Sequence, residues 1–151
     1  MSAAPPSGII AAATVFVQAE LAGNDASHDF AHIARVAASA LSLAREELPG
    51  DAATADLLEI VELSALLHDI KDWKYSGSDT AGVEAARAFL EAHAYAADKT
   101  AAVLHVIQNI GFKTELGQGS GNAVELTPAL AIVQDADRLD AIGAIGVWNF
   151  E

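Results

Sequence analysis

Two histidines and two aspartates in this sequence have the side chains needed to hold a divalent metal ion. They are His32, His68, Asp69 and Asp137. Imidazole nitrogens and carboxylate oxygens suit Mn, Mg, Fe, Co, Ni or Zn, and a set of four leaves coordination positions open for water and substrate. The sequence contains no cysteine, so thiolate zinc sites, disulfides and cysteine nucleophiles are excluded.

The first of these residues belongs to a polar stripe on a predicted helix. His28, His32, Arg35 and Ser39 follow one another at spacings of four, three and four residues, which places them on one helical face. A stripe with imidazole and guanidinium groups could bind a metal ion and a phosphate. A solvated helix face is the alternative, and the stripe taken alone favours that alternative.

The remaining candidates, His68, Asp69 and Asp137, lie beside or within apolar stretches, where a charged side chain needs a partner. His68-Asp69 follows a strongly apolar run, and a buried carboxylate is costly unless a metal or an ordinary helix-end contact pairs with it. Adjacent helical residues point about 100° apart, so both side chains reach one ion only at the end of a helix. Asp137 shares the inward stripe of the last helix with Leu130 and Val133, and the stripe is predicted to continue through Asp140/Ala141. A buried Asp–Arg pair is the alternative to a metal ligand at Asp137.

The spacing of apolar residues predicts an all-α, single-domain protein. A period of about 3.6 residues dominates, and strand signals are sparse. Residues 1–8 are expected to form a loose tail and residues 9–151 the domain. The predicted helices span residues 9–21, 27–48, 54–69, 80–93 and 98–110, and a last helix runs from 128 past 140. The third helix is apolar nearly all round, which is typical of a central helix.

Length, charge and hydropathy restrict the classes of partner. The chain has 151 residues, enough for one domain with a sizeable core. Its net charge of −13 opposes binding to nucleic-acid polymers, although a bound cation would still permit a small phosphorylated substrate. The apolar segment at residues 9–22 is shorter than the roughly 20 residues that span a bilayer. We therefore expect no membrane partner and a cytoplasmic location.

The order of the four candidate ligands resembles the H…HD…D signature of the HD-domain metal-dependent phosphohydrolase superfamily. Four longer segments, HDFAHIARV, LLHDIKDWKY, NIGFK and QDADRLDAIGAIG, are similar to one branch of that superfamily, the small stand-alone YedJ/YpgQ-like proteins of bacteria and fungi. Together the segments span residues 28–146. The resemblance implies an HD-type helical bundle in which His32, His68, Asp69 and Asp137 bind one divalent ion.

The chemistry implied by this resemblance is hydrolysis of a phosphoester or phosphoanhydride by a metal-activated water. The expected substrate is a small phosphorylated molecule, which in this branch is a nucleotide. Asp72 follows the HD aspartate by three positions and is expected to orient or deprotonate the water. Arg35 and Lys74 are expected to hold the phosphoryl group, Arg35 through its fork of N–H donors and Lys74 as a point charge. The oligomeric state stays open, with a homodimer among the options.

The end of the sequence departs from the family pattern. Members usually continue beyond the last motif helix with an arginine-containing segment, whereas this sequence ends in GVWNFE. One interpretation is a C-terminally shortened HD domain, and with it a truncated, inactive module that binds a partner or dimerises. An HD hydrolase of signalling nucleotides is the second alternative. Retention of all four candidate ligands argues against the inactive module.

Overall fold

Six α-helices make up the part of the chain that the structure describes. The computed structural model describes residues 8–21, 30–48, 50, 54–70, 81–110 and 125–150, with the side chains of the last helix described as far as residue 142. The helices are α1 (Gly8–Leu21), α2 (Phe30–Glu47), α3 (Ala55–Leu67), α4 (Ala81–Ala92), α5 (Ala97–Asn109) and α6 (Pro128–Phe150). These residues contain no β-strand, which confirms the all-α prediction. Where a predicted helix end is described, the observed end differs from it by at most two residues.

Helix α3 lies at the centre of the bundle, as its sequence predicts. It packs against α1, α2, α5 and α6. Apolar side chains surround it almost completely, and such a helix is stable only when its neighbours cover it. Thr54 caps its N-terminus, because the hydroxyl oxygen accepts a hydrogen bond from the Leu57 amide at 3.1 Å. The second half of the helix is buried, with Val61, Leu63, Ser64, Ala65, Leu66 and Leu67 in the interior.

Helices α2 and α6 pack against α3 and against each other. The buried face of α2 consists of Ile33, Val36, Ala37, Ala40 and Ala44, and its small side chains let the neighbouring helices approach closely. On α6 the buried stripe ends at Ala136. Ala141, which the apolar pattern places on the inner face, is exposed. The half-buried carboxylates of Asp137 and Asp140 therefore begin where the apolar core ends.

The C-terminal ends of α4 and α5 are each secured by hydrogen bonds. Beyond α4, Ala94 has a φ of 53°, the left-handed conformation that favours glycine. The Ala94 amide donates to the Glu91 carbonyl and the Tyr95 amide donates to the Leu90 carbonyl, each at 3.0 Å, which is the Schellman pattern. At the end of α5, the buried Gln134 of α6 donates its side-chain amide to the Asn109 carbonyl at 3.2 Å.

Candidate metal centre

Three helices bring three of the predicted ligands to one place. His32 lies in the first turn of α2, His68 caps the C-terminus of α3, and Asp137 lies on α6. The Oδ1 atom of Asp137 is 3.3 Å from His32 Nε2 and 3.5 Å from His68 Nε2. The centroids of the two imidazole rings are 6.0 Å apart, with 66° between the ring planes. These side chains, far apart along the sequence, therefore meet around one carboxylate oxygen.

Both imidazoles are held in place through their other nitrogen. His68 Nδ1 donates to the Ala65 carbonyl at 2.6 Å, within the last turn of α3. His32 Nδ1 donates to Asp140 Oδ2 at 2.7 Å. In a neutral ring whose proton is on Nδ1, the lone pair lies on Nε2, which is then available to a metal. Each ring is therefore oriented so that a potential ligand atom faces Asp137.

Asp69 lies near the two histidines, in the turn that follows α3. Ligand atoms of His32, His68 and Asp69 all lie within 4.8 Å of one another. Helix α3 ends at Leu67, so the His-Asp pair lies at a helix end, as both side chains require if they are to reach one ion. Atoms bound about 2.1 Å from one ion are about 3.0–3.4 Å apart. The separations of the two histidines from Asp137 agree closely with that spacing.

The side chains of this cluster stabilise one another's charged forms. The hydrogen bond to Asp137 is the main cause that raises the pKa of His32 to about 9, against the effect of burial. Burial also opposes protonation of His68, but the hydrogen bond and the charge of Asp137 outweigh it and raise the pKa of His68. Burial opposes ionisation of Asp137 in turn, yet the two imidazoles hold the pKa of its carboxyl well below its usual range. Such coupled, shifted groups are typical of functional sites.

Arg35 lies beside the cluster and binds Asp140. Its Nε and Nη2 atoms donate to Asp140 Oδ1 and Oδ2 at 2.7 and 3.2 Å. The Arg35 bond is the main cause that holds the pKa of Asp140 below its usual range, and the bond from His32 acts in the same direction. The Arg35 side chain is 56% exposed, whereas that of Asp140 is 14% exposed. From the sequence, Asp140 lies one turn after Asp137, and Arg35, Lys74 or substrate are its expected partners; the structure shows the bond to Arg35. The predicted role of Arg35 in holding phosphate stays a prediction.

The other predicted catalytic residues lie outside the described residues. Asp72 and Lys74 fall within residues 71–80, and His28 of the polar stripe falls within residues 22–29. Their expected roles stay predictions.

Two further histidines have ordinary hydrogen-bond partners away from the cluster. His93 Nδ1 bonds to the Phe89 carbonyl at 2.9 Å, and His105 Nε2 bonds to the Glu125 carbonyl at 2.7 Å. The sequence predicts a hydrogen-bonded core residue at His105, and the structure shows the hydrogen bond at a partly buried position. Within the described part of the chain, the one group with the spacing of a metal site is that of His32, His68 and Asp69.

The chain belongs to the HD domain family, whose model matches residues 29–142 and so includes His32, His68, Asp69 and Asp137. The uncharacterised protein YpgQ of Bacillus subtilis (strain 168) is 34% identical over 134 residues, which cover 87% of this chain and 60% of YpgQ. A crystal structure of a Lactobacillus plantarum protein matches with a TM-score of 0.69 and 28% identity, and covers 95% of this chain and 60% of the other. The chain therefore spans 60% of the length of these relatives.

Proposed function

We propose that this protein is a metal-dependent phosphohydrolase that cleaves a phosphoester or phosphoanhydride bond in a small phosphorylated substrate, and that this substrate is a nucleotide. The observation that carries the proposal is the orientation of two imidazoles. The Nε2 atoms of His32 and His68 face the same oxygen of Asp137, while both Nδ1 atoms are bound elsewhere. Membership of the HD domain family supports the same chemistry.

The proposed metal site uses all four candidate ligands. His32, His68, Asp69 and Asp137 would hold one divalent ion. Their nitrogen and oxygen donors suit Mn, Mg, Co, Ni, Fe or Zn, and the number of donors leaves room for water and substrate. When bound, the ion would supply Lewis acidity, which lowers the pKa of a water molecule and offsets phosphoryl charge.

Three side chains are assigned to the substrate and the attacking water. Asp72 would orient the water and accept its proton. Arg35 and Lys74 would face the phosphoryl oxygens. Two N–H donors of the Arg35 guanidinium bind Asp140, which places this cation beside the proposed metal site. Because the chain carries a net charge of −13, local positive charge at this site is needed to attract an anionic substrate.

The test is hydrolysis by the purified protein, supplied in turn with Mn, Mg, Co or Ni. The substrate panel contains deoxynucleoside triphosphates, nucleoside monophosphates and signalling nucleotides. Release of pyrophosphate from triphosphates supports a nucleotide pyrophosphohydrolase. Activity confined to monophosphates or signalling nucleotides supports the alternative HD hydrolase. Metal binding without turnover of any compound refutes the proposal and supports the inactive binding module.

A matched pair of variants on α6 distinguishes an effect at the proposed metal site from a general effect of removing negative charge. Asp137→Asn removes the carboxylate that faces both imidazoles, whereas Asp135→Asn removes the same charge from an exposed position two residues away. Loss of a side chain that only hydrogen-bonds to a metal ligand lowers metal affinity by roughly 10–100-fold. We expect the metal affinity of Asp137→Asn to fall by more than that. Asp135→Asn should retain wild-type binding and turnover. Equal metal binding by the two variants would show that Asp137 is not a ligand.

A further inference from the structure

We propose that Asp140, held by Arg35, is a positioning residue that orients His32 for metal binding. The inference rests on the proposed function, because it concerns the same metal site. It assigns Asp140 a role that the ligand signature does not contain. It also assigns Arg35 a role that differs from holding phosphate.

The first argument is the placement of two carboxylates on opposite sides of one ring. Asp137 and Asp140 are three residues apart on α6, about one helical turn. Asp137 Oδ1 lies 3.3 Å from His32 Nε2, and Asp140 Oδ2 lies 2.7 Å from His32 Nδ1. The shorter contact is to the nitrogen that points away from the cluster. Asp140 therefore accepts a hydrogen bond from the Nδ1–H group and leaves Nε2 directed at the proposed ion.

The second argument is that the Nδ1 atoms of the two histidines are bound by different kinds of acceptor. His68 Nδ1 is bound by the Ala65 carbonyl, which belongs to the backbone of its own helix. His32 Nδ1 is bound by a side chain from another helix, 108 residues away in sequence. A backbone carbonyl at the end of a buried helix is fixed by the fold, whereas a carboxylate needs its own restraint. A substitution can therefore change the support of His32 without altering that of His68.

The third argument is that Arg35 supplies this restraint. Its Nε and Nη2 atoms bind different oxygens of Asp140, at 2.7 and 3.2 Å. Two roughly parallel bonds from a planar guanidinium fix the plane of a carboxylate as well as its position. His32 and Arg35 are themselves one turn apart on α2. The two helices are thus joined by a network in which Arg35 fixes Asp140 and Asp140 fixes His32.

The experiment measures Co²⁺ binding to the full chain by calorimetry and by proton NMR of the Co²⁺-loaded protein. High-spin Co²⁺ shifts the exchangeable N–H protons of bound imidazoles far from the other signals. The wild type should show two such signals, one from His32 and one from His68. Because the Ala65 carbonyl is untouched by the substitutions, the His68 signal is an internal control.

Three variants test the inference. Asp140→Asn should weaken Co²⁺ binding by about 10–100-fold, and the His32 N–H signal should shift or be lost to exchange while the His68 signal persists. Arg35→Gln, at a largely exposed side chain, should fold normally and weaken Co²⁺ binding by a smaller factor, roughly 3–10-fold. Asp135→Asn, at an exposed position on the same helix, should leave affinity and both signals unchanged.

Each outcome supports or refutes the positioning role of Asp140, the proposed function, or both. If Asp140→Asn and Arg35→Gln retain wild-type Co²⁺ affinity and both N–H signals, the positioning role is wrong. If Asp140→Asn does not fold, Arg35→Gln decides alone, since a residue that only holds phosphate would change KM for substrate and leave Co²⁺ affinity intact. A wild type that binds Co²⁺ with two signals but hydrolyses nothing refutes the proposed function and leaves this inference standing. A wild type that binds no Co²⁺ refutes both.

Discussion

The protonation of His32 leads to a prediction about the metal-free protein. Contact with Asp137 raises the pKa of His32 to about 9, above its ordinary value of 6.5. A group with a raised pKa in the folded state stabilises the fold fully below its unfolded pKa and loses that contribution as the pH rises through the folded pKa. We therefore expect the metal-free protein to lose stability between about pH 6.5 and pH 9.

The size of this loss of stability follows from the pKa shift of His32. One pKa unit corresponds to about 1.4 kcal/mol, so a shift from 6.5 to about 9 sets a ceiling of about 3 kcal/mol. The His32 side chain is 15% exposed, and solvent screening lowers the value. We expect about 1–3 kcal/mol, or a fall in Tm of roughly 3–10 °C for a domain of this size. The measurement is thermal unfolding with a chelator at a series of pH values, and His32→Gln should flatten the curve.

Metal binding should then release protons. A metal ligand must be a neutral imidazole, and a group with a pKa of about 9 is about 97% protonated at pH 7.5. Binding of one ion at pH 7.5 should release about one proton from His32 and a further fraction from His68, whose pKa is also raised. Calorimetric titration with Mn²⁺ in buffers of different ionisation enthalpy measures this number. If no proton is released, and Tm with chelator does not change with pH, then the imidazoles are neutral and the proposed charge coupling is wrong.

Three further predictions concern single residues. Asp69→Ala should abolish both metal content and hydrolysis, measured by elemental analysis and phosphate release, and a metal-replete, active variant would contradict its assignment as a ligand. Ala94→Gly should stabilise the protein by about 1 kcal/mol in chemical denaturation, because Ala94 occupies a left-handed C-cap with φ of 53°, and a loss of stability would contradict that geometry. Leu67→Ala should lower the free energy of unfolding by about 2–5 kcal/mol, because Leu67 is fully buried at the end of α3, next to His68 and Asp69. A loss under about 1 kcal/mol would show that this position is not packed as described.

Most of the fold could be predicted because each helix carries its own apolar pattern. The nearly continuous apolar surface of α3 requires neighbours on all sides, and four helices provide them. The apolar pattern was wrong at Ala141, which is exposed although the helix continues beyond it. Helical periodicity shows which face would be buried. It does not show how far along the helix another element lies against that face, because that depends on helix crossings.

The sequence could predict that His32, His68 and Asp137 lie close together, but not their detailed contacts. A carboxylate on an apolar face, as at Asp137, indicates a need for a partner, and the histidines are the partners that the structure shows. The bond between His32 and Asp140 could not be inferred in the same way. One-turn spacings on α2 and α6 place several polar groups near one another, and the angle at which the helices pack decides which pairs meet.

The bond between His32 and Asp140 closes a loop of 108 residues. Closing so long a loop is entropically costly, so the packing of the helices that carry the two residues must offset that cost. An unfolded chain would thus keep His32, the adjacent His68 and Asp69, and Asp137 apart from one another. Metal uptake at the proposed site would consequently require that α2, α3 and α6 have docked, and it would serve as a sensitive measure of native packing in any variant.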